Sequence, residues 1–360
     1  MENNFIIKRC KRCGLPSAYP GILLNANKTC NYCSYFDLYK DREIIIKRQL
    51  KEDFTRIINN VKRKNNKYDC IVAYSGGKDS SFLLSFLKKK FKLKILAHTL
   101  DHSFTSAQAF VNIKKITKAL KIDSKITKPD IRVMKELFRF ALTENIPYPK
   151  EILAMMSQVC AVCWGMVFGT TIHLATQLKI PLMCIGFTPG QYPSISLENF
   201  LKVESCLFLS KKVYKDDPMD VIKILTDPII EKFGEKVRKY YFRSQYIPND
   251  LFVPKILLPF HVLIDYDEKT ILKEITNLGW IKPSDTDSCS TNCLINTLSS
   301  YITVNKNGYH PYIGELSQLV REGKIKREEA IEAEKIEKES YAMKFSCKKL
   351  KLNKHYLIKR

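Results

Sequence analysis

The stretch Asp69–Ser81, "DCIVAYSGGKDSS", constrains the fold more than any other part of this 360-residue chain. A short apolar run ends abruptly in two glycines, a lysine, an acid and three hydroxyls. Such a run bounded by glycine reads as a buried strand. The following "KDSSFLLSFLKKKF" reads as a helix. In a parallel sheet the C-terminal end of a strand delivers the chain to the crevice where ligands bind. Gly76 and Gly77 let the backbone turn tightly and bring N–H groups close to a ligand. The helix beginning near Lys78 presents its unpaired N–H groups and positive dipole end to the same point. Ser75, Ser80 and Ser81 add hydroxyl donors, and Lys78 adds a point charge. Together these form a pyrophosphate cradle. The G-x-x-x-x-G-K-[ST] spacing is absent, so it is not a Walker A loop.

Strand and helix continue to alternate after the cradle. "LKILAHTL", "SKITKP" and "IPLMCIGF" read as strands. "SAQAFVNIKKITKALKI", "VMKELFRFALTEN" and a long stretch over about 150–178 read as helices. This order predicts an α/β fold: an open parallel sheet with helices on both faces, joined by right-handed crossovers. The expected domains are a cysteine module at 1–35, a linking helix at 36–66 and the sheet at 67–210. A mostly helical region at 211–345 and a basic tail at 346–360 follow. In the helical region "DEKTILKEITNLGW" starts with Asp267 as a cap, and "GELSQLVREGKIKREEAIEAEKIEKES" reads as two helices joined at Gly323.

The net charge of +23 points to an anionic partner, or else to a lysine-rich solvated surface. No window reads as a membrane span or a signal peptide, so the expected location is the cytoplasm, with no membrane partner. In that compartment the twelve cysteines point to metal or catalysis more than to disulfides. Cys70 and Cys184 lie in apolar runs and read as core; Cys206 and Cys347 are isolated.

Cys10-x-x-Cys13 and Cys30-x-x-Cys33 flank a turn-rich loop with Pro16, Pro20 and Gly21. Two such knuckles supply four thiolates to one tetrahedral ion, and structural Zn2+ in a zinc-ribbon-like module is the expectation. Cys160 and Cys163 share one face of a helix. Two thiols there can ligate an ion or cluster without completing its shell, or can be apolar packing beside Trp164 and Met166. A third ligand is available from "DTDSCSTNCLIN", as Cys289 or Cys293. Cys293 is preferred because Thr291 and Asn292 beside it are polar. Three cysteines would leave one iron of a [4Fe-4S] cluster open.

Ser75–Ser80, "SGGKDS", resembles the SGGxDS motif of the PP-loop ATP pyrophosphatases, also called adenine nucleotide alpha hydrolases. The resemblance covers about 69–190 and implies a HUP-like sheet that binds ATP with Mg2+ and splits it into AMP and pyrophosphate. Such enzymes adenylate a carbonyl oxygen and replace it with nitrogen or sulfur. On that pattern Ser75, Gly76, Gly77, Lys78, Asp79, Ser80 and Ser81 hold the nucleotide. Thr99 and Asp101 lie toward its adenosine end, and Gly186 closes the site. Lys78 and Asp79 would act on the phosphates and Mg2+.

The cysteine set Cys160, Cys163 and Cys293 resembles that of iron–sulfur enzymes which thiolate transfer RNA, implying catalytic sulfur delivery at Cys293. Those enzymes carry an acidic pair after the strand matching "IPLMCIGF", whereas Gly186–Gln191 here contains no acid. Thr188 and Gln191 remain as donors to a phosphate or base. A second resemblance brackets the chain. "CKRCGLPSAYPGILLNANKTCNYC" and "HPYIGELSQLVREGKIKREEAIE" are similar to N-acetyl sugar amidotransferases of surface-polysaccharide pathways, which take ammonia from a partner glutaminase. The expected function is therefore an ATP-dependent sulfurtransferase. Its partners would be ATP, a sulfur donor and, as a candidate, tRNA; a homodimer is a compatible assembly. The amidotransferase and a nucleotide-binding protein without activity are the alternatives.

Overall fold

The computed structural model describes residues 8–188, 191, 218–242 and 252–352. Cys206, Pro189, Gly190, the boundary near 210 and the end of the basic tail lie outside the described residues. In chain order the elements are α1 (Asn31–Lys62), β1 (Cys70–Ala73), α2 (Lys78–Phe91), β2 (Ile95–Leu100), α3 (Ala107–Leu120) and β3 (Asp123–Thr127). Then come α4 (Ile131–Thr143), α5 (Lys150–Met155), α6 (Gln158–Gln177), β4 (Leu182–Ile185), α7 (Pro218–Phe233) and α8 (Glu235–Arg238). The C-terminal elements are β5 (Lys255–Leu257), α9 (Pro259–Val262), α10 (Glu268–Asn277), α11 (Asn296–Asn307), α12 (Ile313–Arg321), α13 (Arg327–Glu332) and α14 (Tyr341–Leu350).

The five strands pair in the order β3-β2-β1-β4-β5, and every pairing is parallel. Alternation along each strand feeds two cores. Ile71, Ala73, Leu96, Met183 and Ile185 pack on the α4–α6 face. Cys70, Val72, Ile95, Leu182 and Cys184 pack on the face covered by α2, α3 and α10. The cysteines at 70 and 184 are thus core, as the sequence implies. The expected open parallel sheet with helices on both faces is what forms.

β5 lies in the region read as helical. At three residues it is too short for a periodic signal, yet it pairs with β4 and carries Ile256 and Leu257 into opposite cores. The expected helix over 150–178 is interrupted at Met156–Ser157, where Ser157 Oγ accepts from Cys160 N and caps α6. By length and composition α6 alone among the described helices could cross a membrane, but 67% of its apolar window is buried inside the fold. It is apolar all round because it is enclosed all round. Gly169 permits this: a Cβ there would meet Tyr240 O at 2.3 Å.

Candidate functional site

The chain leaves β1 toward β2 and β3 on one side and later returns to β4 and β5 on the other. The strand order therefore reverses between β1 and β4, and their C-terminal ends open the crevice. Ser75–Gly77 follows β1 there, and Gly186–Thr188 follows β4. The cavity between them is about 230 Å3 and is lined by both loops, by α6 and by residues 289–296.

Gly76 adopts φ +77°, and a Cβ would lie 2.5 Å from Ala109 O. Its carbonyl accepts from Trp280 Nε1 at 3.0 Å. Ser75 Oγ accepts from Gly77 N at 3.3 Å and pairs with Ser80 Oγ at 3.2 Å. Ser75, Gly77, Lys78, Asp79 and Ser80 line the cavity. Ser81 is turned away, its hydroxyl 3.1 Å from Tyr74 OH. Gly77 is the N-cap of α2, and Asp79 stands in the first helical turn.

Lys78 Nζ lies 2.6 Å from Glu268 and 2.5 Å from Tyr266 OH. Burial draws its pKa down, but Asp79, Tyr266 and Glu268 outweigh that and hold it firmly charged. Asp79 Oδ1 is buried with no hydrogen-bond donor, and burial pushes the carboxyl pKa up. An orphaned carboxylate oxygen beside a phosphate cradle fits a hard divalent cation such as Mg2+.

Besides Gly76 and Ser81, two more of the expected nucleotide residues do not line the cavity. Thr99 Oγ1 donates to Tyr74 O at 2.7 Å and ties β2 to β1. Asp101 accepts from Ser103 N at 2.8 Å and faces Lys128 across a separate groove. Gly186 does reach the site. A Cβ there would sit 3.3 Å from Ser80 Cα, so β4 closes tightly on the start of α2.

Cys160, Cys163, Cys289 and Cys293 all line the same cavity as the phosphate loop. Cys293 is fixed by a bridge to Thr105, by Ser106 N donating to Asn292 O (2.9 Å) and by Leu294 N donating to Phe104 O (2.8 Å). Burial pushes the Cys293 thiol pKa far up, and Cys163 and Cys160 add to it. Burial likewise raises Cys160 and Cys163. Half-buried thiols pushed up in this way are poor free thiolates, and a cationic centre bound to them would compensate the charge. Cys289 points elsewhere: its Sγ donates to Ala333 O at 3.3 Å.

Of the residues that build this corner, sequence reasoning singled out Thr291 but not Asp287, His102 or Glu315. Asp287 accepts from the N–H groups of Cys289 (3.0 Å) and Ser290 (2.8 Å), and from Asn296 and Thr297. That side-chain turn sets the path of the cysteine loop. Thr291 Oγ1 accepts from Lys78 N at 3.0 Å, so an oxygen already occupies the helix N-terminus that a phosphate would use. His102 lines the cavity and its Nδ1 accepts from Phe104 N at 3.2 Å, which leaves the proton on Nε2. Glu315 accepts from Thr188 Oγ1 and, at 2.8 Å, from Gln191 Nε2. The only advance signals were the Asp–Cys–Asn punctuation of 285–293 and the quoted "HPYIGE".

The N-terminal cysteines form a different kind of site. Cys10, Cys13, Cys30 and Cys33 are buried with all four sulfurs within 4.8 Å of one another, the only such group among the described residues. The Sγ separations are 3.8 Å for Cys10–Cys33, 3.6 Å for Cys13–Cys30 and 3.7 Å for Cys30–Cys33. A tetrahedron with metal–sulfur bonds of about 2.3 Å has edges of about 3.8 Å, so the four thiols fit one ion.

No protein-family model matches the chain. A protein of Methanocaldococcus jannaschii, the uncharacterized MJ1599, is 23% identical over 297 residues, spanning 81% of this chain and 83% of its own length. Among solved structures, the U34-tRNA thiolase NcsA from Methanococcus maripaludis with its [4Fe-4S] cluster aligns at TM-score 0.33 and 15% identity, over 92% of this chain and 91% of that one. The NMN synthetase from Francisella tularensis aligns at TM-score 0.28 and 13% identity, over 48% of this chain and 76% of that one. The NH3-dependent NAD synthetase from Campylobacter jejuni aligns at TM-score 0.27 and 15% identity, over 52% and 78%. With "SGGKDS" at the switch point of a β3-β2-β1-β4-β5 parallel sheet and α2 opening from it, this chain has an open parallel α/β fold with a glycine-rich loop at its ligand-binding crevice.

Proposed function

We propose that the protein is an ATP-dependent transferase that adenylates a substrate carbonyl oxygen, releases pyrophosphate and replaces that oxygen with sulfur. The observation that carries this reading is a single cavity lined by both the phosphate loop and Cys160, Cys163 and Cys293. Activation and sulfur delivery need to meet at one carbon, and two separate sites would not serve.

In this reading Ser75, Gly77, Ser80 and the Lys78 N–H hold the phosphates, with Thr291 giving up its hydrogen bond to Lys78 N. Lys78 stabilises charge on the leaving pyrophosphate. Asp79 faces Mg2+, which neutralises the phosphates. The Nε2–H of His102, 3.5 Å from Thr105 Oγ1, would turn to donate to the substrate oxygen. Cys160, Cys163 and Cys293 would hold a [4Fe-4S] cluster, which would supply sulfide to the activated carbon, with AMP carrying the displaced oxygen away. Cys10, Cys13, Cys30 and Cys33 hold a structural Zn2+. The cytoplasm, with a reducing pool that keeps these thiols free, is the compartment this chemistry requires.

One observation favours a second reading, the ammonia-using N-acetyl sugar amidotransferase. The two end segments that resemble that family are packed together. Arg327 Nε donates to Cys10 O at 3.3 Å, the Arg321 guanidinium stands 5.9 Å from the centre of the Tyr32 ring, and Ile313 shares a small core with Cys10, Cys13, Cys30 and Cys33. Anaerobic purification with iron, sulfide and zinc analysis separates the two. Sulfur transfer gives about four irons per chain that are lost in Cys160→Ala while one zinc stays. Zinc with no iron under anaerobic handling turns the assignment to nitrogen transfer. ADP in place of AMP as the nucleotide product overturns both.

A further inference from the structure

The segment Gly186–Gln191 brings no acid to the cavity of its own, yet an acid is bound to it. Glu315, on α12, accepts one hydrogen bond from Thr188 Oγ1 and a second, at 2.8 Å, from Gln191 Nε2. Gln191 is itself held in place. Its Oε1 accepts from Thr188 N at 3.3 Å, and its backbone N donates to Thr188 O at 3.0 Å. The carboxylate is therefore oriented by two neutral donors, and among the described residues no cation forms an ion pair with it. The same arrangement is usual around carboxylates that ligate metals, whose remaining lone pairs are left free.

The local charges are out of balance. The ammonium of Lys78 faces Asp79, Glu268 and Glu315. Its nearest carboxylate is that of Glu268, at 2.6 Å, while Asp79 Oδ1 stands 3.8 Å away with no hydrogen-bond donor. Burial pushes Glu315 up to about 7, against the pull of Thr188 and Gln191, and Asp79 adds to the rise. Three carboxylates that share a single ammonium are short of positive charge, and a bound cation removes that cost. A hard divalent ion takes one or two carboxylates together with substrate phosphate oxygens.

We propose that Glu315, delivered from the C-terminal helix α12 to the loop after β4, acts with Asp79 as the acidic pair that holds the divalent cation of the nucleotide site. The inference rests on the ATP reading above but not on whether sulfur or nitrogen is transferred. It gives the C-terminal region a part in the nucleotide site.

The test uses the full chain, Mn2+ as the metal probe and α,β-methylene-ATP, with bound Mn2+ read by electron paramagnetic resonance. Glu315→Gln should weaken Mn2+ binding to the nucleotide complex by tenfold or more and leave metal-free nucleotide affinity within twofold. Glu315→Asp, which keeps the charge and shortens the reach, should recover part of the loss and guards against a folding artefact. Mn2+ affinity unchanged in Glu315→Gln overturns the proposal, as does an equal loss in Glu315→Gln and Glu315→Asp. If the parent chain binds no nucleotide at all, the ATP reading fails and this inference falls with it.

Discussion

His98 shows how much of the site is held by single uncharged contacts. It sits on β2, 2% exposed, with Nδ1 2.8 Å from Thr171 Oγ1 on α6 and Nε2 2.8 Å from Thr127 Oγ1 on β3. Burial lowers its pKa to about 4 from the ordinary 6.5, and Lys125 adds to the fall. The folded chain therefore keeps this ring neutral at pH values where the unfolded chain protonates it. Stability from this residue is complete above about pH 6.5, is lost as pH falls toward about 4, and changes no further below that. A shift of this size corresponds to about 3 kcal/mol across the window. His98→Gln, which can still pair with either threonine, should flatten the acid limb of urea-denaturation stability by about that amount. An acid limb identical to that of the parent would show that the folded protein tolerates the charged ring.

At the scale of elements, the N-terminal cysteine module works as a clasp. Its sulfurs share one small core with Tyr309 and Ile313, at the start of the helix that carries Glu315. Arg9–Glu334 and Arg327–Cys10 close the same interface from outside. A module this small has little core of its own, so a metal held by its four thiols would supply much of the folding energy. Cys13→Ser should lose one metal per chain and raise amide hydrogen exchange together over 8–35 and 309–334. Protection at β1 should persist. Unchanged exchange over 309–334 would mean the clasp is only an ornament on the fold. The elements were legible where pattern and chemistry agreed. The helix at Lys78–Phe91 follows the quoted residues end to end, and Asp267 caps α10 through Thr270 N, as the sequence implied. β5 was not legible, because three residues carry no period. Nor was the meeting of Glu315 with Thr188 and Gln191, since contacts so far apart in sequence leave no local trace. The cysteine spacing announced ligands, but it is the bridge between Thr105 and Cys293 and the bond from Lys78 N to Thr291 that bring the third thiol to the phosphate loop.

At the scale of the whole molecule, the open question is which anion the net charge of +23 serves. On α1 a wide groove is lined by Arg48, Lys51, Arg56 and Arg63 together with Asn59 and Asn60. Arg56 is engaged by Asp53, and Glu52 is the one acid among the lining residues. Such a strip suits a phosphate backbone better than a single nucleotide sugar, whose few charges fit inside the cavity. Neutralising a backbone releases condensed counterions, so affinity falls steeply with salt. Several phosphate contacts cost roughly a thousandfold or more between about 50 and 200 mM. If the substrate is a transfer RNA, binding of bulk tRNA to the full chain should show that slope. Replacing Arg48 and Lys51 together by alanine should reduce the log–log slope by about two, one for each lost phosphate contact, across all RNA sequences alike. A nucleotide sugar that binds tightly with only a few-fold salt dependence, alongside tRNA binding unaffected by the double replacement, would assign the charge to solvation and the chemistry to a small substrate.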